Sequence, residues 1–285
     1  MTLTTEKSRE ALLALLERVP PLPAIVLELL RSLDDENANI AQLARKIGLD
    51  PPLSARILRV VNSPFYGMQG QVSSLSEAVM VLGFSNVRSL ALAASLSSRF
   101  KLRPAGGLDP AYLWEHSFCT ALACRLLARL ARVNPETAFT AGLLHDIGRI
   151  GLLVLDEKHV QEIVELRTGK TMSASQAERQ VLGFDHAQLG ARLLERWRLP
   201  PAIVRAVERH HTPDLEPTET LTDLVAVADA CAIAVQRGAL EQLLESARPG
   251  NTVVRLGITR GQCQETLAPL PEQLKAVASM LQEAG

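Results

Sequence analysis

Apolar residues recur three and four positions apart along nearly the whole chain, and no segment shows the strict alternation of a half-buried strand. This pattern predicts an all-α protein. The expected helices fall near residues 6–18, 22–33, 39–47, 51–61, 75–82, 86–99, 110–132, 135–147, 150–154, 158–168, 173–182, 186–197, 201–211, 220–236, 239–247 and 270–282.

Capping residues support the starts of several of these helices. Asp50, Asp109 and Asn134 each precede a proline, which places a capping side chain before a proline at the first helical position. Ser74 is followed by a glutamate three residues later, the spacing of a capping box. Asp185 can cap a helix that begins at the next residue. These signals predict helix boundaries independently of the apolar pattern.

The best internal break is the glycine- and proline-containing run at residues 101–107. We therefore expect an N-terminal helical bundle over residues 1–105 and a histidine-bearing helical core over residues 106–250. Residues 251–285 would form a C-terminal helical extension. This division places the two halves in contact, with the candidate chemistry in the second.

Composition narrows the cellular setting. Hydrophobic residues make up 47% of the 285 residues and aromatics only 4%, so the core must consist mainly of Leu, Ala, Val and Ile. The net charge of -1 gives no bias toward nucleic acid or anionic membranes. No apolar run is long enough to span a membrane. The four cysteines form no CxxC pair, which favours buried thiols and a cytoplasmic location.

Nucleic-acid binding is disfavoured by a second feature. Residues 40–62 superficially resemble a helix-turn-helix with local positive charge. However, the second helix begins Pro51-Pro52-Leu53 and offers almost no polar donors to base edges. We therefore interpret this segment as a corner of the helical bundle.

Histidine placement is the strongest chemical signal. Only His159 stands apart from the others. Neutral imidazole together with carboxylate is typical of divalent-metal sites, with Fe, Mn, Zn or Mg as candidates. The alternative is a hydrogen-bonded polar core without metal. The candidate metal ligands are His116, His145, Asp146, His186, His210, His211 and Asp229.

The His145-Asp146 doublet lies between two glycines, Gly142 and Gly148, where another helix or a phosphate could approach closely. Arg149 follows the doublet and could hold a phosphate oxygen, so it is the candidate catalytic contact. The order His, His-Asp, Asp, with one ligand position per helix, is the minimal pattern of an HD phosphohydrolase. Three further histidines could hold a second cation.

Motifs over roughly residues 15 to 235 resemble the HDOD family, the HD-related output domain of bacterial signalling proteins. The resemblance is carried by Leu22-Pro23, the run from Leu43 to Leu53, Ile57 to Gly67, Ser74 to Gly83, Gly183 to Ala191, Trp197 to Pro200, and His210-His211. It implies an N-terminal helical bundle packed on an HD-like helical core. It also implies a regulatory role, with input from a signalling protein partner or a nucleotide ligand.

The resemblance extends to HD-GYP phosphodiesterases, whose metal ligands match the seven candidates above. Two departures weaken an assignment to cyclic di-GMP hydrolysis. Thr212-Pro213-Asp214 stands where the Gly-Tyr-Pro loop would follow the histidine pair, and Tyr112 replaces a glutamate of the three-metal members. The sequence thus favours a regulatory module with a residual metal site. The alternative is a metal-dependent phosphohydrolase, for which an open cleft at His145 and Asp146 is required.

Overall fold

The computed structural model describes residues 6–19, 21–22, 24–31, 40–62, 70–99, 109–152, 157–169, 172–245 and 250–274. Every regular element in these ranges is helical, which confirms the all-α prediction. The helices are α1 (Glu6–Arg18), α2 (Ala24–Arg31), α3 (Ile40–Gly48), α4 (Pro51–Val61), α5 (Leu75–Leu82), α6 (Phe84–Arg99), α7 (Pro110–Ala128), α8 (Pro135–Leu144), α9 (Gly148–Leu152), α10 (Glu157–Gly169), α11 (Ala174–Leu182), α12 (His186–Arg196), α13 (Pro201–Arg209), α14 (Thr220–Gln236), α15 (Leu240–Glu245), α16 (Gly250–Arg255) and α17 (Arg260–Leu267).

The predicted caps are present at the helices that carry the candidate ligands. Asp109 accepts a hydrogen bond from Ala111 N at the start of α7, and Asn134 accepts two at the start of α8. Asp185 forms a full capping box with Gln188 at the start of α12. Each cap satisfies backbone N–H groups that would otherwise lack partners. The helix starts that position the site are therefore encoded locally.

The C-terminal extension differs from the prediction, because α16 and α17 were not expected. Both are short, so neither shows a sustained apolar period. The available signal for α17 was its capping box, in which Thr259 and Gln262 bond each other's backbone N–H groups. Only residues up to 274 of the expected helix at 270–282 are described, and the expected break at 101–107 lies outside the described residues. The proposed domain boundaries stay a prediction.

Close packing between helices fixes their relative positions in the second half of the chain. Helix α7 packs against α8 and α14, and α12 packs against α9 and α13. A Cβ on Gly142 would lie 2.9 Å from Ala121 Cα, and one on Gly148 would lie 1.9 Å from the His186 carbonyl oxygen. Both glycines therefore serve helix contacts. Trp114 and Trp197 are buried, as expected of core residues.

The N-terminal helices contact this core at two places. Helix α6 packs against α8, where Ser89 Oγ donates a 3.0 Å hydrogen bond to Glu136. Helix α1 packs against α12 and α9, and Arg196 Nη1 donates a 2.6 Å hydrogen bond to the Leu16 carbonyl oxygen. Within the described ranges, no helix combines the length and apolarity needed to cross a membrane.

Candidate metal centre

The seven candidate ligands meet at one point in the second half of the chain. His116 lies on α7, His145 and Asp146 directly follow α8, and His186 begins α12. His210 and His211 directly follow α13, and Asp229 lies on α14. The described part of the chain contains three overlapping groups that could hold a cation, each with ligand atoms within 4.8 Å of one another. The groups are Asp146, His186, His210 and His211; His116, His145 and Asp146; and His145, His210 and Asp229.

Asp146 lies at the centre of the cluster and presents one oxygen to each side. Its Oδ1 lies 3.1 Å from His186 Nε2 and 3.8 Å from His210 Nε2. Its Oδ2 lies 3.6 Å from His145 Nε2 and 4.0 Å from His116 Nε2. A carboxylate shared in this way can bridge two neighbouring cations. The arrangement therefore gathers possible ligand atoms on both sides of Asp146.

Asp229 completes the side that contains the HD doublet. Its Oδ1 lies 3.0 Å from His116 Nε2 and 3.8 Å from His145 Nε2. On the other side, His186 Nε2 lies 2.8 Å from His211 Nε2. The two nitrogens share one hydrogen, because two imidazole lone pairs or two N–H groups would repel each other. Both sides thus consist of imidazole nitrogens gathered around carboxylate.

Two imidazoles are fixed by backbone carbonyls. His145 Nδ1 lies 2.7 Å from the Gly142 carbonyl oxygen, and His210 Nδ1 lies 2.7 Å from the Val207 carbonyl oxygen. A carbonyl only accepts hydrogen bonds, so Nδ1 must donate in both rings. Each neutral ring therefore directs the lone pair of Nε2 into the cluster, which is the tautomer that a metal ligand requires.

Two more imidazoles, those of His186 and His116, are held by side chains that the sequence did not single out. His186 Nδ1 lies 2.5 Å from Glu178 Oε2, and the His186 backbone N–H donates to the same oxygen at 2.8 Å. His116 Nδ1 lies 3.1 Å from Gln236 Oε1. Histidine ligands of metals commonly donate their outer N–H to such groups. The available signal was weak, since Glu178 lies within α11 and Gln236 ends α14, both away from the histidine motifs.

Electrostatics keep the carboxylates ionised despite burial. Burial opposes ionisation of Asp146, but the charges of Arg149 and His186 outweigh it and hold its pKa well below the ordinary value. Burial also opposes ionisation of Asp229, where the hydrogen bond from His116 lowers the pKa. A deprotonated carboxylate is the form that binds a cation.

The histidines divide into two classes. Burial lowers the pKa of His145, and it lowers the pKa of His210 well below the ordinary value. Burial and Arg149 also oppose the charging of His186, but Glu178 and Asp146 prevail and raise its pKa to about 9. His145 and His210 are therefore neutral and ready to donate a lone pair, whereas His186 carries a proton that a cation would have to displace.

Orphaned polar atoms test whether a metal fits these residues. His145 Nε2, His210 Nε2 and Asp146 Oδ1 are buried and make no hydrogen bond of normal geometry. Buried polar atoms without partners are costly, at about 1–3 kcal/mol each. All three point into the same cluster, and a divalent cation would satisfy them together. The donor set and the orphaned atoms thus fit a metal better than a hydrogen-bonded polar core.

An open cavity of about 240 Å³ reaches the cluster. The buried residues His116, Asp146 and Asp229 line its inner end, and the exposed His211 also lines it, whereas His145 is fully buried. The required opening is therefore present at Asp146 but not at His145. Three arginines, Arg149, Arg167 and Arg237, also line this cavity.

Arg149 also interacts directly with the cluster. Its Nε donates a 2.6 Å hydrogen bond to Asp146 Oδ2. The guanidinium therefore contributes positive charge beside the inner end of the cavity. Together with Arg167 and Arg237 it offers three guanidinium groups to a ligand in the cavity, beside the carboxylates of Asp109, Asp146 and Asp229.

Comparisons with curated proteins detect distant relatives over part of the chain. An uncharacterised protein of Treponema pallidum is 22% identical over 206 residues, which span 72% of this chain and 40% of the relative. Ribonuclease Y of Symbiobacterium thermophilum is 30% identical over 151 residues, or 53% of this chain and 23% of the enzyme. The chain thus spans less than half the length of these relatives.

Solved structures match nearly the whole chain. A protein of Shewanella amazonensis, provisionally named a phosphohydrolase, has a TM-score of 0.78 and 27% identity, covering 98% of this chain and 100% of that one. An HDOD domain protein of unknown function from Geobacter sulfurreducens has a TM-score of 0.79 and 26% identity, covering 97% and 99%. The HDOD domain model matches residues 19–213, more than half of the sequence, and this chain therefore belongs to the HDOD family.

Proposed function

We propose that this HDOD protein is a divalent-metal-dependent phosphohydrolase that acts on a small phosphate ester. One observation carries the proposal: the cavity that ends at Asp146, Asp229 and their histidines is also lined by three arginines. A metal site alone would suit a structural role. A metal site at the inner end of an open cavity that also presents three guanidinium groups suits a phosphorylated ligand.

The residues of the chain would divide the work. His116, His145, Asp146 and Asp229 would hold one cation, and His186, His210 and His211 would hold a second one that shares Asp146. When bound, such cations supply Lewis acidity to a phosphoryl group and lower the pKa of a water molecule. Arg149 would bind a phosphoryl oxygen and stabilise the charge that develops there.

The positions of Arg167 and Arg237 suit binding rather than chemistry. Both are exposed side chains at the cavity lining, on α10 and just after α14. They would raise the local concentration of an anionic ester and hold its phosphate toward the inner end of the cavity. Their removal should weaken substrate binding with little effect on the fold.

A regulatory module that binds the same ligand without turnover is the second candidate. It is favoured by the segment after the histidine pair, where Arg255 Nη1 donates a 2.6 Å hydrogen bond to Asp214 and Arg255 Nη2 bonds Asp223. These bonds tie the segment to α14 and α16 at the position where a substrate-reading loop would otherwise project. A binding module needs no such loop, since occupancy alone can be the signal passed to a signalling partner.

Release of p-nitrophenol from synthetic phosphate esters separates the two candidates. Protein loaded with Fe, Mn, Zn or Mg would be assayed with p-nitrophenyl phosphate and with bis-p-nitrophenyl phosphate. We expect turnover with at least one metal, loss of turnover in Asp146→Asn, and a raised KM in Arg237→Gln. Arg129→Gln, an exposed change outside the cavity, serves as the matched control. Stoichiometric metal with no turnover of either ester would reject the enzyme and leave the regulatory module.

A further inference from the structure

One wall of the cavity has a different chemistry from the rest. Tyr112, Leu113 and Ile233 line it beside the arginines and the cation-binding groups. Leu113 is buried, whereas the Tyr112 side chain is 52% exposed. A phosphate group would interact with the arginines and the candidate cation-binding groups of the cavity. An exposed aromatic ring offers it no comparable charged interaction. The proposed function therefore leaves Tyr112 without a role.

Tyr112 is held in a defined orientation next to the cluster. It lies on α7 one helical turn before His116, and the two rings are stacked with 8° between their planes and 6.3 Å between their centroids. His116 is itself fixed by Gln236 and Asp229. The imidazole thus supports the phenol ring, which loses little side-chain freedom when a planar ligand contacts it.

We propose that Tyr112 is a stacking platform for the base of a nucleotide, so that the ligand is a nucleoside monophosphate. This inference rests on the proposed function, because the phosphate would occupy the cavity beside Asp146. Four residues of helix separate Tyr112 from His116, or about 6 Å along the axis. That separation is on the scale of one nucleotide, with its base at Tyr112 and its phosphate at the cations.

The size of the cavity sets an upper limit on the ligand. Its volume of about 240 Å³ is below the roughly 300–1,000 Å³ of typical small-molecule sites. One phosphate with its sugar fills such a space, and the base then contacts the exposed ring at the wall. A cyclic dinucleotide, with two phosphates and two bases, is too large to be enclosed. Tyr112 would therefore determine specificity for a single base-bearing phosphate.

Equilibrium binding to the metal-loaded protein tests the role of the ring. AMP and ribose 5-phosphate share the phosphate and sugar but differ in the base. Stacking of a base on an aromatic side chain is worth a factor of about 5–150. We expect wild type to bind AMP at least about fivefold more tightly than ribose 5-phosphate by calorimetry, with phosphate release followed in parallel. Tyr112→Phe should keep this preference.

Tyr112→Ala should bind ribose 5-phosphate as wild type does and lose the preference for AMP. Equal affinity of wild type for the two ligands would overturn the stacking role and leave the phosphate site intact. Equal weakening of both ligands in Tyr112→Ala would show that the ring only supports His116, which also overturns it. If neither ligand binds, the proposed function fails together with this inference.

Discussion

Glu178→Gln removes one negative charge from a buried side chain and keeps its shape. Glu178 is 2% exposed and accepts hydrogen bonds from both the backbone N–H and Nδ1 of His186. A glutamine oxygen can still accept both bonds, so the position of the imidazole should be retained. The substitution removes the negative charge that raises the basicity of the imidazole, so Nε2 should bind a cation more weakly.

The expected loss of metal affinity is about 10–100-fold, the typical effect of removing the partner of a metal-bound histidine. This corresponds to about 1.4–2.7 kcal/mol of binding free energy. Without metal, the loss of the negative charge on the acceptor of these two hydrogen bonds should destabilise the fold by about 1–3 kcal/mol. The midpoint of thermal unfolding should then fall by roughly 2–12 °C.

The effect on stability has a defined dependence on pH. Glu178 and Asp146 raise the pKa of His186 from 6.5 to about 9. A raised pKa means that the imidazolium contributes its full stabilisation below the ordinary value and loses it as the pH rises through about 9. The difference in unfolding free energy between wild type and Glu178→Gln should therefore be large at neutral pH and small above this value.

Competition with a chelator would give the metal affinity, and thermal unfolding with and without metal would give the stability. Glu162→Gln, an exposed substitution on α10, is the matched control and should change neither quantity. Metal affinity of Glu178→Gln within twofold of wild type would refute the reasoning. His186 would then not be a ligand, or its outer hydrogen bond would have no influence on it.

Further predictions concern the centre and its frame. His145→Ala should abolish stoichiometric metal in elemental analysis, while His159→Ala, outside the cluster, should retain it. The pKa of His186 is about 9, and its proton must leave before a cation binds. Metal affinity should therefore rise by up to about tenfold per pH unit as the pH approaches this value. A metal affinity that does not change from neutral pH upward would argue against His186 as a ligand. Gly148→Ala should lower the unfolding free energy in urea by at least about 3 kcal/mol, because the new Cβ would lie 1.9 Å from a backbone oxygen of α12. Gly261→Ala has open space and should be neutral or stabilising by up to about 1 kcal/mol, so equal effects of the two changes would contradict the packing argument.

The helices were predictable because their signals are local. Apolar period and capping residues depend on neighbours within a few positions, and the caps at Asp109, Asn134 and Asp185 form as the sequence predicts. The two short helices Gly250–Arg255 and Arg260–Leu267 were missed for the same reason. They are too brief to show a period, and their packing onto α14 and α7 depends on contacts distant in sequence.

The candidate site was predictable only in part. Histidine and aspartate carry their chemistry in the residue type, so their order along the chain predicted the seven candidate ligands, which the fold brings together. Glu178, Gln236 and the arginines at 167 and 237 are ordinary polar residues whose roles arise from position. His116 and Gln236, for example, are 120 residues apart and meet only because α7 packs against α14. Such a contact leaves no local pattern in the sequence.

Helix α1 packs against α12, and α12 carries the candidate ligand His186. The N-terminal helices are therefore connected to the candidate centre through this helix. Arg196, at the end of α12, bonds the backbone of α1, and His186 lies at the beginning of the same helix. Binding free energies at two sites of one molecule are reciprocal, with couplings of about 1–3 kcal/mol in typical cases. A partner that binds α1 and shifts α12 would therefore change the affinity of the centre for a cation. By the same factor, a bound cation would change the affinity of α1 for the partner. Cation occupancy would then depend on whether a partner is bound at α1, a surface that the cation itself does not contact.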